Sequence, residues 1–165
     1  MLRIVPMSED VANAILRWTY EKPYDFYNND QTPDAVRELL DSNYYALLDS
    51  NKEIVGFYCV GHSAQVPNDQ YRYSENYLDV GVGMRPDLTG QGLGTAFFAT
   101  VLSHMRQERR ALPKRLTVAA FNLRAIRLYQ KFGFTREAEF LKGRTRFIVM
   151  AQTVESAYDE GRGQG

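Results

Sequence analysis

Three closely spaced glycines, Gly90, Gly92 and Gly94, follow a predicted strand and open a predicted helix. Glycine lets the backbone approach a ligand closely, and the N–H groups at a helix N-terminus attract phosphate. The run therefore indicates a site where backbone amides bind a phosphorylated ligand. A glycine-rich turn without function is the alternative, and the glycines alone do not separate the two interpretations.

The spacing of these glycines excludes two common phosphate-binding motifs. The dinucleotide fingerprint G-x-G-x-x-G, counted from Gly90 and Gly92, needs a third glycine where the chain has Thr95. A P-loop needs Lys-Ser or Lys-Thr after its glycines, and neither pair follows here. A phosphate bound by these glycines would therefore belong to another kind of motif.

The strand before the glycines, residues 77–84, alternates between two kinds of side chain, as a strand with one buried face does. Its core face would carry Leu78, Val80, Val82 and Met84, and its other face Tyr77, Asp79, Gly81 and Gly83. Two glycines on one strand face indicate that something lies close to that face. The following helix repeats apolar residues at i, i+4 spacing, and we expect these in the core: Leu93, Phe97, Val101 and Met105.

The composition of the 165 residues fits a single domain with a substantial core, since 44% of them are hydrophobic. We expect this domain to span residues 1–154 and a disordered tail to follow over 155–165. Cys59 is the only cysteine, which excludes an intramolecular disulfide, and no paired Cys/His spacing indicates a metal site. A net charge of zero argues against nucleic acid as a partner. Without a signal peptide or a membrane-length apolar run, we expect a cytoplasmic protein that binds no membrane.

Charge is distributed unevenly along the chain. Residues 1–80 carry 6 Lys/Arg against 13 Asp/Glu, whereas residues 81–165 carry 14 against 7. A basic half that includes the glycines suits a phosphorylated cofactor, and an acidic half suits a cationic second substrate. The alternative is that opposite charges merely balance over one folded surface.

Periodicity and capping residues predict a mixed α/β (α+β) fold with about seven strands and four helices. Ser8, Thr32 and Asn122 are the expected N-caps of three helices, and Gly133 is the expected end of the last one. The strands are expected over 2–5, 44–48, 54–61, 77–84, 116–120, 135–141 and 145–151. The helices are expected over 9–19, over 33–41, from within the glycine turn to about 106, and over 123–132.

A second motif lies further along the chain. Residues 122–134 have the pattern N-x-x-A-x-x-L-Y-x-x-x-G-F, which includes Asn122, Ala125 and Tyr129. Together with the glycine run, this segment resembles the GCN5-related N-acetyltransferase (GNAT) superfamily, whose acetyl-CoA pyrophosphate motif is R/Q-x-x-G-x-G/A. The resemblance covers about residues 1–151. Its one departure is Thr89, which stands where the family usually has Arg or Gln and so lacks an anchoring side chain.

The resemblance implies a twisted mixed sheet whose central strands splay apart, with acetyl-CoA bound there as the co-substrate and no metal. The implied cofactor contacts are Val82, Met84, Thr89, Gly90, Gln91, Gly92, Leu93, Gly94, Thr95, Asn122 and Tyr129. Tyr129 would be the general acid that protonates the leaving thiolate, although a core tyrosine is the alternative. Asp79 would be the general base, directly or through water, with Glu75 in reserve; a merely solvated carboxylate is the alternative.

The segment from Tyr20 to Asp30 joins the first two helices, and in the resembled family this junction overhangs the acceptor side of the cleft. Its aromatic rings and carboxylates suit an ammonium group, by cation–π contact and charge pairing. We expect acceptor contacts from Tyr20, Glu21, Tyr24 and Asp25. The alternative is that the aromatic residues only pack the helices against the sheet.

The resemblance implies an acyltransferase that moves the acetyl group of acetyl-CoA directly to a primary amine, in a small molecule or a peptide, within a ternary complex. Acetylation of a protein N-terminus or lysine is one alternative, and a non-catalytic acetyl-CoA-binding module is another. For Cys59 we expect a buried core position rather than a covalent acetyl-cysteine route. His62 and His104 are expected at structural or surface positions. A monomer and a homodimer both remain open.

Overall fold

A computed structural model describes residues 1–108 and 112–152 of the chain. These residues form seven strands and four α-helices, and the strands are ordered β1-β2-β3-β4-β5-β7-β6 in one mixed sheet. The elements are β1 Arg3–Pro6, α1 Glu9–Leu16, α2 Pro33–Asp41, β2 Tyr44–Leu48, β3 Ile54–Val60, β4 Leu78–Met84, α3 Gly94–Glu108, β5 Lys114–Ala119, α4 Leu123–Lys131, β6 Phe134–Lys142 and β7 Thr145–Gln152. The predicted fold class is confirmed. The expected tail over 155–165 lies outside the described residues.

The described chain divides into two compact units, and the second half of β4 belongs to the first unit while its first half belongs to the second. The expected single domain over 1–154 stays a prediction. In the described part of the chain, no helix is long and apolar enough to cross a lipid bilayer.

The first unit contains the antiparallel strands β1, β2 and β3, together with α1, α2 and α3. Ser8 and Thr32 cap α1 and α2 as predicted, since each side-chain oxygen accepts a hydrogen bond from the backbone N–H three residues on. α1 ends three residues earlier than predicted, at Leu16. The amides of Arg17 and Trp18 donate three residues back along the chain, so the last turn tightens and the helix ends there.

The core of the first unit forms where apolar helix faces meet the strands. A cluster between α1 and α2 consists of Ala12, Ile15, Leu16 and Leu39. The buried face of α3 carries Phe97, Phe98, Val101, Leu102 and Met105. The Phe97 ring lies so close to Gly56 of β3 that a Cβ at residue 56 would collide with it. A glycine is therefore required where α3 packs on β3.

Leu93 does not lie in the core, contrary to the prediction. Its side chain is 45% exposed, and its carbonyl accepts a hydrogen bond from the Phe97 amide at 3.1 Å. Leu93 thus lies just before α3, which begins at Gly94. A residue in that position is not on the helical face that the i, i+4 spacing implied.

The second unit contains the first half of β4, the strands β5, β6 and β7, and α4. β7 pairs antiparallel with both β5 and β6, and β6 and β7 form a hairpin whose turn contains Gly143 at a φ of 61°. β4 and β5 are parallel, and their register consists of Leu78↔Lys114 and Asp79↔Arg115. The register of this pair, among the described residues, does not extend beyond Asp79 and Arg115.

Candidate active site

The chain passes from β4 into the glycine run through a short 3₁₀ helix, Pro86–Leu88. The Thr89 amide and hydroxyl both donate hydrogen bonds to the Pro86 carbonyl, at 3.3 and 2.7 Å. Thr89 therefore uses its side chain to stabilise this turn.

Arg85 fixes the position of the same turn. Its guanidinium donates to both oxygens of Asp87, at 2.6 and 3.2 Å, and to the Ile54 carbonyl at 3.0 Å. Its backbone N–H donates to the Val55 carbonyl at 2.9 Å. The hydrogen bond from the Arg85 side chain holds the pKa of Asp87 below its usual value. Arg85 thereby ties the segment that precedes the glycine run to β3.

The glycine run adopts a conformation that favours glycine at two of its three positions. Gly90 and Gly92 have φ angles of 72° and 77°, in the left-handed region, whereas Gly94 does not. A Cβ added at Gly92 would contact no other atom within 4 Å, so the backbone angle and not crowding requires glycine there. α3 starts at Gly94, and the first-turn amides of any helix have no acceptor within it. The exposed turn and these amides fit a phosphate group.

A neighbouring group lies close to Gly83 of β4, as the glycines on this strand face predict. A Cβ at Gly83 would collide with the Phe57 ring, so that group is a side chain of β3. The absence of a side chain at Gly83 therefore serves internal packing.

Tyr20 contacts the end of β4 directly. Its hydroxyl donates a hydrogen bond of 2.6 Å to the carbonyl of Met84, and its backbone N–H donates to the Asn28 side chain at 2.7 Å. The structure thus brings together two of the predicted site residues, one from the acceptor set and one from the cofactor set. Burial, and to a lesser degree the neighbouring Tyr27, raises the pKa of Tyr20 to about 12.

The segment from Tyr20 to Asp30 is called the acceptor loop below, after its predicted role. Apart from Tyr20, it lies on the surface of the first unit. Glu21 and Asp25 are exposed, Tyr24 is half-buried, and residues Tyr24–Tyr27 form a 3₁₀ helix. The two carboxylates are therefore accessible to a cationic ligand. That they bind an acceptor stays a prediction.

Asp79 is buried in a cluster of polar and aromatic residues of the second unit. The residue is only 3% exposed, and its carboxylate accepts hydrogen bonds from Arg115 at 2.7 and 2.8 Å and from Gln65 at 2.9 Å. Arg115 is 1% exposed and also donates to the Ser74 carbonyl. Three tyrosine rings lie within 6 Å of its guanidinium: Tyr71, Tyr73 and Tyr77.

This environment is that of a buried ion pair rather than of a solvated carboxylate. Removal of either partner would leave the charge of the other buried and unbalanced, which is costly. The ion pair lies at the last rung of the β4–β5 register, so it holds the two strands together there. The geometry favours this structural role, and the assignment of Asp79 as general base stays a prediction. Glu75, the reserve candidate, is exposed.

Asn122 precedes α4 of the second unit and Tyr129 lies on that helix. The Asn122 side chain accepts a hydrogen bond from the Ala125 amide at 3.2 Å and so caps the helix as predicted, and Gly133 ends it at a φ of 86°. Tyr129 is 6% exposed, and its ring centroid lies 6.4 Å from that of Phe134. Burial fits both the general acid and the core tyrosine, so the role of Tyr129 also stays a prediction.

Arg85 and Arg115 were missed by the sequence analysis, although each guanidinium makes several hydrogen bonds in the structure. Arg115 directly precedes the strand predicted over 116–120 and is the second residue of β5, which is a weak signal for a buried charge. Its partner Asp79 is distant in sequence and becomes its neighbour only through the parallel register. Of the other candidates, Cys59 is buried as expected, and His104 hydrogen-bonds with the Tyr58 hydroxyl.

Comparison with known proteins gives the family of the chain. A sequence model of the acetyltransferase (GNAT) family matches residues 12–134, about three quarters of the chain. The chain belongs to the GNAT acetyltransferase family. It is accordingly an acyltransferase, and the matched range includes both the glycine run and the whole Asn122–Phe134 motif. No curated protein sequence matches the chain significantly.

Solved structures of GNAT enzymes share the fold of the chain. An aminoglycoside acetyltransferase AAC(6')-Ib in complex with coenzyme A has a TM-score of 0.73 at 19% identity, with 98% of this chain and 99% of that chain covered. A chimera of the Vibrio cholerae spermidine N-acetyltransferase SpeG and hSSAT has a TM-score of 0.72 at 17% identity, with 96% and 98% covered. A GNAT-family acetyltransferase from Bacillus anthracis has a TM-score of 0.71 at 16% identity, with 93% and 95% covered. At these identities the likeness shows a common fold.

Proposed function

We propose that this GNAT protein is an N-acetyltransferase that transfers the acetyl group of acetyl-CoA directly to a primary amine of a small molecule, in a ternary complex. The observation that carries the proposal is the exposed turn in which Gly90 and Gly92 adopt left-handed angles immediately before α3. In a chain of this family, that turn supports binding of the pyrophosphate of acetyl-CoA. When bound, acetyl-CoA supplies an activated acetyl thioester.

The amides of the glycine run would hold the pyrophosphate, because they are at a helix N-terminus and two of them belong to left-handed glycines. The Thr89 side chain would not contact it, since its hydroxyl already donates to the Pro86 carbonyl. The family resemblance adds contacts from Val82 and Met84 of β4 and from Asn122 and Tyr129 of α4.

The reaction requires a neutral amine and a proton for the leaving thiolate. An alkylammonium has a pKa of about 10, so one proton must leave the acceptor before transfer. We propose that the Tyr129 hydroxyl donates the proton to the sulfur. For removal of the amine proton, Asp79 would have to act from within its ion pair with Arg115, and solvent water is the simpler acceptor.

The acceptor would bind beside the loop that contains Tyr20, Glu21, Tyr24 and Asp25. Exposed carboxylates attract cationic amines, and aromatic faces add cation–π contacts. Two enzymes of the same fold are named for polyamine and aminoglycoside acceptors, which are also polycationic amines. A protein N-terminus or a lysine carries the same ammonium group and is the second candidate class.

A thiol-release assay with acetyl-CoA tests the proposal on polyamines, aminoglycosides, amino acids and lysine-containing peptides. We expect turnover with at least one small polycationic amine and much less with the peptides. Turnover with peptides alone would transfer the function to protein acetylation. Absence of CoA binding together with absence of turnover would overturn the proposal.

A further inference from the structure

One peptide group of the first unit is held on both sides. The carbonyl of Met84 accepts the hydrogen bond from the Tyr20 hydroxyl at 2.6 Å, and the N–H of Arg85 donates to the Val55 carbonyl at 2.9 Å. These two groups belong to the same peptide bond, the one that ends β4. Through these two hydrogen bonds, the peptide connects the acceptor loop on one side with β3 on the other.

The chain just before Tyr20 makes a second contact with β4, at Gly83, the residue that precedes Met84. The Trp18 ring lies 6.2 Å, between centroids, from the Phe57 ring, and the Phe57 ring fills the space beside Gly83. Trp18 thus reaches Gly83 through one ring, and Tyr20 reaches Met84 directly. The segment 18–20 therefore packs against two consecutive residues at the end of β4.

Tyr20 is also the residue that closes the acceptor loop. Its backbone N–H donates to the Asn28 side chain at 2.7 Å, and its ring contacts Tyr27 edge to face at 6.4 Å. Like any tyrosine hydroxyl, that of Tyr20 keeps its proton and stays a donor throughout the neutral range, and burial raises its pKa further, to about 12. A shift of the Met84 carbonyl would therefore be transmitted to the closed loop.

We propose that Tyr20 is a positioning residue that couples the acceptor loop to the cofactor end of β4, so that binding of CoA orders the loop and binding of the amine tightens that of acetyl-CoA. The Met84–Arg85 peptide precedes the turn that Arg85 and Asp87 fix and that leads into the glycine run. A ligand on that turn restricts this peptide, and the Tyr20 hydroxyl passes the restriction on. Coupling of this kind is reciprocal. The inference rests on the proposed function, because it assumes that the glycine run binds CoA.

The chain carries its own reporter for this coupling. Trp18 is the only tryptophan, so its fluorescence is the intrinsic tryptophan signal of the protein and comes from the segment concerned. CoA would be titrated into the wild type, into Tyr20→Phe and into Tyr45→Phe, with calorimetry in parallel. Tyr45→Phe is the matched control, because it removes a hydroxyl in the same unit from a residue whose described contacts are ring contacts with Tyr58 and His104.

We expect a saturable change in Trp18 emission for the wild type and for Tyr45→Phe. Tyr20→Phe should bind CoA in the calorimeter but lose most of the fluorescence change. On an acceptor found by the thiol-release assay, Tyr20→Phe should raise the acceptor KM by about 5-fold or more at saturating acetyl-CoA, the lower end of typical coupling factors, with the pH profile of kcat unchanged. A role in stability alone would not split the acceptor KM from kcat in this way.

A second measurement keeps the test independent of the folding of Tyr20→Phe. In the wild type, CoA should slow hydrogen exchange of the amides over residues 20–28, and Asn28→Ala, which removes the other bond that closes the loop, should weaken this protection. An equal fluorescence response in Tyr20→Phe, or no protection of these amides in a CoA-bound wild type, would overturn the coupling alone. Failure of the wild type to bind CoA would overturn the proposed function and the coupling with it.

Discussion

Asp79 shows how much the surroundings of one carboxylate decide about its function. From the sequence it is the one acid on the central strand and the natural candidate for a base. In the structure both of its oxygens accept hydrogen bonds from Arg115, and its residue is 3% exposed. A charge held in this way is better suited to fixing two strands than to exchanging a proton during turnover.

Asp79→Asn separates these two roles. If the ion pair is structural, the variant leaves the Arg115 charge unbalanced, and we expect a loss of about 3–5 kcal/mol in the free energy of unfolding, measured by urea denaturation. Glu139→Gln, in exposed ion pairs with Arg136 and Arg146, is the control and should cost about 0–1 kcal/mol. The double variant Asp79→Asn/Arg115→Gln should recover part of the loss, because neither partner then carries an unpaired charge.

The pH–rate profile of the same variant tests the base. An acidic limb that survives in an active Asp79→Asn enzyme would show that the amine loses its proton elsewhere, as the ion pair suggests. Loss of that limb would restore Asp79 as the base, directly or through water.

Tyr129 is the proposed acid, and Tyr129→Phe removes only its hydroxyl. We expect CoA affinity to stay within a few-fold of the wild type and kcat to fall by about 10²–10⁴-fold, the range typical of acid–base catalysis. Steady-state kinetics on the acceptor identified by the screen measures this effect, with Tyr45→Phe as the control. Activity close to that of the wild type would assign Tyr129 to the core.

The raised pKa of Tyr20 predicts that the stability of the protein depends on pH. Its pKa is raised from 10.0 to about 12 in the folded chain, mainly by burial. The folded state therefore keeps a proton that the unfolded state has lost, and the stabilisation from Tyr20 is fully present below pH about 10 and disappears as the pH rises toward about 12. Urea denaturation across this range should show that the wild type loses stability relative to Tyr20→Phe. A constant difference between the two proteins would contradict the raised pKa.

Among the structural elements, the glycine turn is the proposed binding site for the pyrophosphate of acetyl-CoA. Gly92→Glu should abolish CoA binding, because a carboxylate would meet the pyrophosphate. Any side chain at a φ of 77° is strained, so Gly92→Gln is the matched control, with the same strain and size but no charge. Calorimetry should show a much weaker affinity for Gly92→Glu than for Gly92→Gln. Equal affinities in two folded variants would mean that the turn does not contact the phosphates.

The acceptor loop is the second element under test. Replacement of Glu21 and Asp25 by their amides keeps the size of both exposed side chains and removes their charge. We expect the KM for a cationic acceptor to rise and the KM for acetyl-CoA to stay the same, as initial rates would show. Glu9→Gln/Asp10→Asn, on the surface of α1, is the control for the loss of two charges in the same unit. If the acceptor KM and kcat both stay unchanged, the loop is structural.

The elements also show what sequence patterns can predict. Capping residues gave the starts of α1, α2 and α4, because an N-cap acts within three residues of itself. The i, i+4 pattern failed at Leu93, where the helix had not yet begun. It could not reveal the Asp79–Arg115 pair either, since that contact depends on the parallel register of two strands. Likewise, the β4 glycines predicted a close approach, but only the structure identifies the Phe57 ring beside Gly83.

For the whole molecule, the family follows from sequence and fold comparison, whereas the proposed substrates follow from charge and from the exposed loop. The match to the GNAT family over residues 12–134 and the shared fold show an acyltransferase. The excess of acids over residues 1–80 and of bases over 81–165 agrees with a cationic acceptor and an anionic cofactor. The proposed acceptor contacts lie in an exposed loop, where family patterns give the least information.

Mass spectrometry of the amine panel, after incubation with the protein and acetyl-CoA, tests the proposed function most directly. We predict that a small polycationic amine gains one acetyl group, that an equal amount of free CoA appears, and that the protein itself carries no acetyl group on Cys59. An acetylated protein or peptide without any acetylated small amine would contradict this prediction.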